Sequence, residues 1–399
     1  MLRGKHIVLG VTGSIAAYKI ASLASMLAKR HADVTVIMTR NATNFINPIT
    51  FESLTGNKCL VDTFDRNFEF QVEHVSLAKQ TDVFLMAPAS ANVIAKAAHG
   101  IADDMLTTTL LACTCPKIFA PAMNTRMYQN PIVQDNMEIL KRYGMEVITP
   151  EDGYLACGDT GAGKMPEPEV LYEAIIKALT PKDLAGKRVL VTAGPTREKI
   201  DPVRYISNHS TGKMGYAIAR RAMLRGADVT LVSGKVSLEA PGGVRLISVV
   251  SAAEMAQAVK ENAQNQDIII KAAAVADYRP SVTADEKLKK KDGEMTIGLE
   301  RTEDILAYLG SHRHEGQFLC GFSMETEHML ENSSAKLQKK NIDMIVANNL
   351  KQAGAGFGTE TNVVTFLTMD ETLELPIMSK EDVADRLLTF IMERQQTVR

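Results

Sequence analysis

Cys157 and His74 are the side chains in the first half of the sequence that could carry proton transfer. Cys157 lies in the segment 153–166, which contains four glycines and ends in a proline. This composition predicts a flexible lid, and a thiol on a closing lid can reach a substrate while excluding water. The alternative is a hydrophobic plug in a loop, which so many glycines disfavour. Nothing near His74 demands a base, so an ordinary structural role stays open for it.

A carboxylate and a group of lysines in the second half could act on phosphates. Asp277 follows the alanine-rich segment 272–276, and the run 287–291 carries four lysines. Lys336 and Lys340 follow later in the chain. A lysine run by itself is usually a solvated loop. Together, however, an acid that could recruit Mg²⁺ and lysines that could close over phosphates are what phosphoryl or nucleotidyl chemistry requires.

The turn at Gly10–Ala16 could bind an anion. It lies between a β-rich segment and a helical one, where backbone N–H groups and the helix dipole favour negative charge. It lacks the GxGxxG pattern, and the next strand ends at Thr39 rather than at an acid that would hold a ribose. These features favour a mononucleotide such as FMN over NAD. A simple tight turn explains the glycines equally well.

The segment 207–215 is a second candidate anion loop. It is not a Walker A loop, because Ser207 stands in place of the first glycine and Met214 in place of the hydroxyl residue. Ser210 and Thr211 nevertheless precede a predicted helix, and Arg204 is near in sequence. An anion site is therefore still expected here.

Both loops belong to a strand, turn and helix pattern that occurs twice. We predict an α/β fold of two Rossmann-like, doubly wound domains with mainly parallel sheets. Thr180–Asp183 has the composition of a linker, so we place the domains at residues 1–180 and 186–399. The predicted strands are Lys5–Val11, Val34–Met38, Val83–Ala87, Lys117–Ala120, Arg188–Thr192, Val229–Val232, Ile268–Ala272 and Met344–Ala347, and the predicted helices include Ile15–Lys29 and Gly212–Arg225.

Composition excludes several other classes of protein. The 399 residues carry a net charge of -2 with scattered basic residues, which argues against nucleic-acid binding. Glycines and Lys19 interrupt the apolar run Ile7–Val11 before it could span a membrane, so we expect a cytoplasmic protein without a membrane partner. The five cysteines form neither a CxxC pair nor a zinc-type cluster, which predicts free thiols.

Residues 1 to about 180 resemble the flavin-containing cysteine decarboxylase family. The resemblance rests on Gly13–Lys19, His74, Pro121–Asn124 and Ala156–Asp159, in this order and spacing. It implies that His74 is the base that helps to oxidise the cysteine moiety of the substrate, Asn124 binds the carboxylate and Cys157 donates a proton. Flavin oxidation of the thiol would give the carboxylate an electron sink, so that carbon dioxide can leave. The resemblance implies FMN bound by Gly13, Ser14, Ile15, Thr39, Ser90, Ala91, Asn92, Val93 and Ala122.

Residues 186 to about 395 resemble the phosphopantothenate-cysteine ligase family. The shared segments are Thr192–Thr196, Asp201–Gly215, Ala273–Tyr278, Glu286–Lys289 and Gly321–Phe322. In bacterial fused enzymes the resemblance implies CTP, with Asn208 and Arg204 handling the substrate carboxylate and acyl intermediate, and Lys287 completing the reaction. The implied CTP contacts are Ala273, Asp277, Lys287, Thr302, Glu303, Asp304, Ile305, Phe322, Lys336 and Lys340, with Asp277 also the expected Mg²⁺ ligand. Residues 301–305 replace an Asn-Pro-Asp-Ile type loop of the family, in which Thr302 and Glu303 differ while Asp304 and Ile305 keep their places.

Nearly the whole chain resembles the bacterial fused phosphopantothenoylcysteine decarboxylase/phosphopantothenate-cysteine ligases of coenzyme A biosynthesis. The implied reaction joins cysteine to 4′-phosphopantothenate through an acyl-cytidylate, with loss of pyrophosphate, and decarboxylates the product to 4′-phosphopantetheine. The implied assembly combines trimeric decarboxylase and dimeric ligase contacts, as in a dodecamer. Two alternatives remain. The first is an NAD(P)-dependent oxidoreductase with two Rossmann domains, but this sequence lacks the acidic residue that would bind the ribose. The second is a non-catalytic flavin-binding regulatory protein, and the presence of both His74 and Cys157 argues against it.

Overall fold

The computed structural model describes residues 2–63, 73–154, 158, 160–289, 296–325, 329–349, 356 and 358–397. The chain divides into two compact units, Met1–Thr180 and Pro181–Arg399. None of the helices in these described ranges is long and apolar enough to cross a membrane.

The first unit is built on a sheet of five parallel strands. They are β1 (His6–Val11), β2 (Asp33–Met38), β3 (Val83–Ala89), β4 (Lys117–Pro121) and β5 (Glu146–Val147). Their order in the sheet is β2-β1-β3-β4-β5. The order of the strands therefore reverses between β1 and β3. The carboxyl ends of those two strands form the topological switch point, where open parallel sheets bind ligands.

Eight helices and a hairpin complete the described part of this unit. The helices are α1 (Ala17–Lys29), α2 (Pro48–Thr55), α3 (Glu73–Gln80), α4 (Ala91–His99), α5 (Met105–Ala112), α6 (Thr125–Tyr128), α7 (Pro131–Arg142) and α8 (Pro168–Leu179), and β6 (Glu151–Tyr154) pairs antiparallel with β7 (Thr160–Lys164). All seven residues of β3 are buried, as expected for a central parallel strand covered on both faces. Helix α1 buries Ile20, Leu23 and Leu27, which recur at helical spacing along one face.

The second unit contains a larger sheet. The described strands of the second unit, which form this sheet and three small two-stranded pairs, are β8 (Arg188–Ala193), β9 (Glu198–Lys199), β10 (Tyr205–Ile206), β11 (Asp228–Ser233), β12 (Arg245–Ser248), β13 (Ile268–Lys271), β14 (Tyr278–Pro280), β15 (Leu299–Arg301), β16 (Phe318–Glu325), β17 (Met344–Asn349), β18 (Thr361–Asn362), β19 (Val364–Leu367), β20 (Thr372–Glu374) and β21 (Met378–Ser379). The main sheet has the order β12-β11-β8-β13-β16-β17-β19-β20. Its first six strands run parallel, and β19 and β20 are antiparallel to their neighbours. Its switch point lies between β8 and β13.

Helices cover both faces of this sheet. They are α9 (Lys213–Leu224), α10 (Ala252–Ala263), α11 (Ile305–His312), α12 (Met329–Lys340) and α13 (Lys380–Thr397). One apolar cluster joins Ile218 of α9 and Leu387 of α13 to the sheet, and a second joins Met255 of α10 and Leu309 of α11 to it. The predicted fold class, with two doubly wound and mainly parallel sheets, is confirmed.

The ends of the predicted elements shift by one or two residues. Helix α1 begins at Ala17 rather than Ile15, because Ser14 O accepts the Ala17 N–H at 3.0 Å in a turn that precedes the helix. Strand β13 ends at Lys271 rather than Ala272. Both shifts lie beside the switch points, where the chain leaves regular structure to form loops.

Candidate functional sites

An open cleft of about 1900 Å³ lies at the switch point of the first unit. Six of the nine residues assigned to FMN line it, namely Gly13, Thr39, Ser90, Ala91, Asn92 and Val93. Helix α4 begins in this lining, and its N-cap Ser90 Oγ accepts the Val93 N–H at 3.5 Å. The first N–H groups of a helix have no partner within the helix, so this end of α4 suits a phosphate.

The lining of this cleft presents hydroxyl groups and closely packed backbone to a ligand, and its cationic side chains are paired with acids. A Cβ at Gly13 would lie 2.8 Å from Asn41 Cβ, so only glycine allows the turn after β1 to approach Asn41 this closely. Thr39 Oγ1 accepts the Ala42 N–H, which leaves its proton for a ligand. Among the described lining residues, the cations Arg40 and Lys96 pair with Asp62 and Asp103 at 2.8 and 2.7 Å.

Thr12 joins the two strands at this switch point. It is fully buried, and its Oγ1 donates to Pro88 O at 2.7 Å and accepts the Ser90 N–H at 3.0 Å. The loop after β1 and the loop after β3 are therefore held together by one hydroxyl. This residue was not among the predicted site residues, although its place directly before Gly13 is visible in the sequence.

The other residues assigned to FMN lie outside the lining of the cleft. Ser14 Oγ accepts the Ala16 N–H at 3.3 Å, and Ile15 is largely exposed. Ala122 is buried, and its N–H donates to Ala89 O at 3.1 Å. Ala122 therefore belongs to the neighbouring strand end, next to β3.

The residues assigned to decarboxylation lie on three different elements. His74 is partly exposed on α3, and Asn124 caps α6 by accepting the Arg126 N–H at 2.8 Å. The hairpin β6–β7 packs against the Asn124 segment, since Gly163 O accepts the Met123 N–H at 3.1 Å. A Cβ at Gly163 would lie 2.3 Å from Met123 O, so only glycine allows this approach. Cys157, in the connection between β6 and β7, lies outside the described residues.

A cavity of about 650 Å³ lies at the switch point of the second unit. Its walls include Ser210–Gly215 at the start of α9, Ala272–Ala274 after β13, and the ring of Phe322 on β16. Gly212 adopts a φ of 81° immediately before α9, a conformation that glycine tolerates best. The predicted anion loop therefore does begin a helix, and its first turn faces the cavity.

Thr192 and Asn208 hold the loop after β13. Thr192 is fully buried, and its Oγ1 accepts the Ala273 N–H at 3.1 Å across the switch point. Asn208 Nδ2 donates to Ala274 O at 2.8 Å, while its Oδ1 accepts the Ser210 N–H at 3.0 Å. Asn208 thus connects the anion loop to the alanine segment.

Lysines and acids cluster beside this loop. Lys340 Nζ lies 2.8 Å from Asp304 Oδ2 at the start of α11. Lys271, at the end of β13, interacts electrostatically with Lys340, Asp304, Asp277 and Lys336. Burial, reinforced by the nearby Lys340, lowers the pKa of Lys271 to about 8. This concentration of positive charge suits a polyphosphate.

Lys271 was not among the predicted site residues. It ends an otherwise apolar strand segment, Ile268–Ile270, and a lone lysine at such a position was the available signal. The cavity also contains Asn348, Asn362 and Lys380, which the sequence motifs did not single out.

Residues 302–305, which include the departure from the family at Thr302 and Glu303, have separate roles in the structure. Thr302 Oγ1 donates to Ala276 O at 2.6 Å, and its N–H donates to Asp277 O at 3.0 Å, so Thr302 supports the Asp277 loop. Glu303 pairs with Lys260 at 2.5 Å. Ile305 is buried in the apolar core. Its side chain therefore packs within the protein.

Arg204 forms an ion pair with Asp201. The Arg204 guanidinium contacts Asp201 Oδ2 through Nε at 2.9 Å and Nη2 at 2.6 Å. Arg204 Nη2 also donates to Leu288 O at 3.0 Å, next to the exposed Lys287. The structure therefore brings Arg204 and the Lys287 segment together. Among the described residues, no group of three or more His, Cys, Asp or Glu side chains could hold a metal ion, and Asp277 is exposed.

Two family models divide the chain between them. The model described as "Flavoprotein" matches residues 1–180, and that described as "DNA/pantothenate metabolism flavoprotein C-terminal domain" matches residues 184–395. Together with the two doubly wound sheets, these matches define the class as a two-part α/β flavoprotein.

Full-length relatives narrow this class further. The coenzyme A biosynthesis bifunctional protein CoaBC of Bacillus subtilis (strain 168) is 48% identical over 396 residues, which are 98% of this chain and 97% of the relative. That of Vibrio vulnificus (strain YJ016) is 45% identical over 392 residues, 98% of each chain. A crystal structure of the C-terminal domain of a coenzyme A biosynthesis bifunctional protein CoaBC has 45% identity, covers 54% of this chain and 98% of its own, and gives a TM-score of 0.46. The chain belongs to the family of bifunctional coenzyme A biosynthesis enzymes.

Proposed function

We propose that residues 1–180 form an FMN-dependent phosphopantothenoylcysteine decarboxylase and residues 186–399 a CTP-dependent phosphopantothenate-cysteine ligase. The second unit joins cysteine to 4′-phosphopantothenate, and the first decarboxylates the product to 4′-phosphopantetheine. The observation that carries this proposal is that each switch point has its own cavity, one suited to a resident mononucleotide and one to a polyphosphate.

The cleft of the first unit fits FMN in the chemistry of its donors. The start of α4 supplies backbone N–H groups for a phosphate, and the Thr39 and Ser90 hydroxyls flank it. The absence of a side chain at Gly13 lets the turn after β1 pack closely against Asn41, and both residues line the cleft. When bound, FMN accepts and returns two electrons, which makes the loss of carbon dioxide possible.

The residues of the chain provide binding and proton transfer in that reaction. The Asn124 amide binds the substrate carboxylate, and His74 accepts a proton while the substrate thiol is oxidised. Cys157 supplies a proton to the carbon that has lost carbon dioxide. The contact between β7 and the Asn124 segment supports this proposal, because β6 and β7 are the strands on either side of Cys157 in the sequence.

In the second unit, a carboxylate oxygen of phosphopantothenate attacks the α-phosphate of CTP. The bond to the β-phosphate breaks, pyrophosphate leaves, and an acyl-cytidylate remains. The cysteine amine then attacks the acyl carbon and CMP leaves, which the ammonium of Lys287 assists. Lys271, Lys336 and Lys340 offset the charge of the triphosphate. Phe322 is available to pack against the base.

Mg²⁺ is proposed to bind together with the nucleotide rather than in a site made by the protein alone. Asp277 is exposed beside the lysine cluster, and Mg²⁺ is commonly held by one carboxylate plus substrate phosphates. Adding EDTA should therefore abolish ligation while leaving decarboxylation of supplied phosphopantothenoylcysteine unchanged.

We propose a cytoplasmic location, and we propose the assembly of trimeric and dimeric contacts described above, such as a dodecamer. Exposed apolar side chains on the small strands of the second unit, including Tyr205, Tyr278 and Leu299, support contacts between copies. The mass of the intact particle in solution, measured by light scattering, checks this assembly.

The proposal is tested by assaying the halves separately with the full-length protein. The purified protein should show flavin absorbance and release carbon dioxide from phosphopantothenoylcysteine without nucleotide. With phosphopantothenate and cysteine it should release pyrophosphate from CTP faster than from ATP. A colourless protein that cannot be reconstituted with FMN would refute the first assignment, and the absence of nucleotide-dependent pyrophosphate release would refute the second.

A further inference from the structure

The segment that carries Lys287 is fastened at Leu288 to the turn 201–204. Asp201 Oδ2 accepts the Leu288 N–H at 3.2 Å, and Arg204 Nη2 donates to the Leu288 carbonyl at 3.0 Å. One ion pair therefore binds both backbone polar groups of the residue that follows Lys287. We call the contact between Asp201, Arg204 and Leu288 the clasp.

Asp201 is the centre of the clasp. Its side chain has no exposed surface. Oδ1 accepts the N–H groups of Val203 and Arg204, both at 2.8 Å, while Oδ2 accepts Nε and Nη2 of Arg204. The Arg204 guanidinium and these backbone N–H groups hold the pKa of Asp201 well below its usual range. The carboxylate is therefore ionised and fixed at any pH at which the enzyme works.

Few other described contacts restrain the segment before Lys287. Ala284 N–H donates to Ile200 O at 3.0 Å, and Thr283 Oγ1 donates to Lys199 O at 3.3 Å. These bonds hold the chain three and four residues before Lys287, whereas the clasp holds the next residue. Of the hydrogen bonds in the described part of the chain, those of the clasp are therefore the best placed to fix the Lys287 backbone.

We propose that Asp201 is a positioning residue for ligation. By holding Leu288, it fixes the backbone from which the Lys287 ammonium reaches the acyl nucleotide. Asp201 acts through Lys287 and itself touches no substrate. The inference rests on the proposed ligase function and extends it to a residue that the motifs left without a role.

Hydrogen–deuterium exchange of the full-length protein tests the clasp without any turnover. In Asp201→Asn, the amide at Leu288 should exchange about tenfold faster or more than in the wild type, because its acceptor loses charge and the pairing with Arg204 weakens. Asp183→Asn is the matched control, since Asp183 forms a two-point pair with Arg225 in the same unit. Unchanged exchange at Leu288 in Asp201→Asn would overturn the proposal.

Comparing the rates of the two steps of ligation, pyrophosphate release and amide formation, tests the role of Asp201 in the reaction. With phosphopantothenate, cysteine and CTP, Asp201→Asn should release the first pyrophosphate within about threefold of the wild-type rate but form the amide about 100-fold more slowly, so that the acyl nucleotide accumulates. Lys287→Gln should show the same partition, and the double variant should be no slower than Lys287→Gln alone.

Losses that multiply in the double variant, or an equal loss of both half-reactions in Asp201→Asn, would contradict a role through Lys287. A wild type without CTP-dependent pyrophosphate release would instead refute the ligase function, and the exchange measurement would still decide whether the clasp exists. If Asp201→Asn unfolds the second unit, Asp201→Glu, which keeps the charge, carries both tests.

Discussion

The two switch points share one device and differ in charge. In each unit a fully buried threonine at the end of the first strand accepts an N–H from the loop across the switch point. Thr12 accepts from Ser90 and Thr192 accepts from Ala273. Around the first cleft the cations Arg40 and Lys96 are each paired with one acid, whereas in the second unit three lysines, Lys271, Lys336 and Lys340, lie near two acids, Asp277 and Asp304.

This difference indicates how one fold serves two ligands. The shared threonine fixes the geometry of the loops, which a Rossmann-like sheet needs at any ligand site. Neutral donors and a helix N-terminus suit a resident monophosphate, which carries less charge than a triphosphate. A surplus of ammonium groups suits a triphosphate that must bind, react and leave within one turnover.

The largest expected effect separates the two activities completely. Cys157→Ser should lower the formation of 4′-phosphopantetheine about 100-fold or more and leave an oxidised, decarboxylated product, because the proton donor for the step after carbon dioxide loss is absent. Its CTP-dependent pyrophosphate release should stay within about twofold of the wild type. Lys287→Gln should show the reverse pattern, with normal decarboxylation of supplied phosphopantothenoylcysteine. Product analysis by mass spectrometry checks both, and normal formation of 4′-phosphopantetheine by Cys157→Ser would exclude its proposed role.

The two threonines provide an intermediate test of the shared device. Thr12→Val leaves the Ser90 N–H without its acceptor, at a cost of about 1–3 kcal/mol, and should weaken FMN binding about tenfold. Thr192→Val should raise KM for CTP by a similar factor and leave FMN binding unchanged. Titration of the flavin-free protein with FMN measures the first effect.

Thr81→Val is the matched control for this comparison, because the buried Thr81 hydroxyl donates to Leu77 O within its own helical turn and also hydrogen-bonds with Cys113, neither of which lines the cleft. It should lose stability without losing FMN. Equal losses of FMN in Thr12→Val and Thr81→Val would show that Thr12 has no special role at the cleft.

The last prediction concerns stability and its dependence on pH rather than activity. The pKa of Lys271 is about 8 in the folded protein, below the ordinary value of 10.5, so folding disfavours its charged form. Because the unfolded chain binds more protons between these values, stability rises with pH from about 8 to 10.5 at this site. At pH 7, Lys271→Met should therefore stabilise the nucleotide-free protein by up to about 3 kcal/mol.

This advantage of Lys271→Met should fall below half at pH 9.5. Thermal or urea unfolding of the wild type and variant at the two pH values measures the difference. An advantage that does not change with pH would mean that the buried charge is not its cause.

The framework of strands and helices could be predicted because its signals are local. Apolar runs such as Val83–Ala87 and Ile268–Ile270 become central strands, and the glycine turns after β1 and before α9 lie at the two cavities. The assignments to FMN and CTP came from family resemblance, since the physical pattern alone predicted only anion loops.

The contacts that organise the sites could not be predicted in this way. Asp201 and Leu288 are 87 residues apart, and no local pattern reports that a carboxylate will bind that amide. Lys271 looked like part of a strand, and its altered pKa depends on charges brought from α11 and α12. Glu303 was assigned to the nucleotide by position, but in the structure it pairs with Lys260.

The most direct test of the central claim is one incubation of the full-length protein with phosphopantothenate, cysteine and CTP, in which pyrophosphate and carbon dioxide are followed together. Two active sites in one chain predict that pyrophosphate appears first and carbon dioxide follows, approaching one molecule for each pyrophosphate. Omitting CTP should abolish both. Release of either product without the other, in protein that contains flavin and Mg²⁺, would contradict the pairing of the two activities.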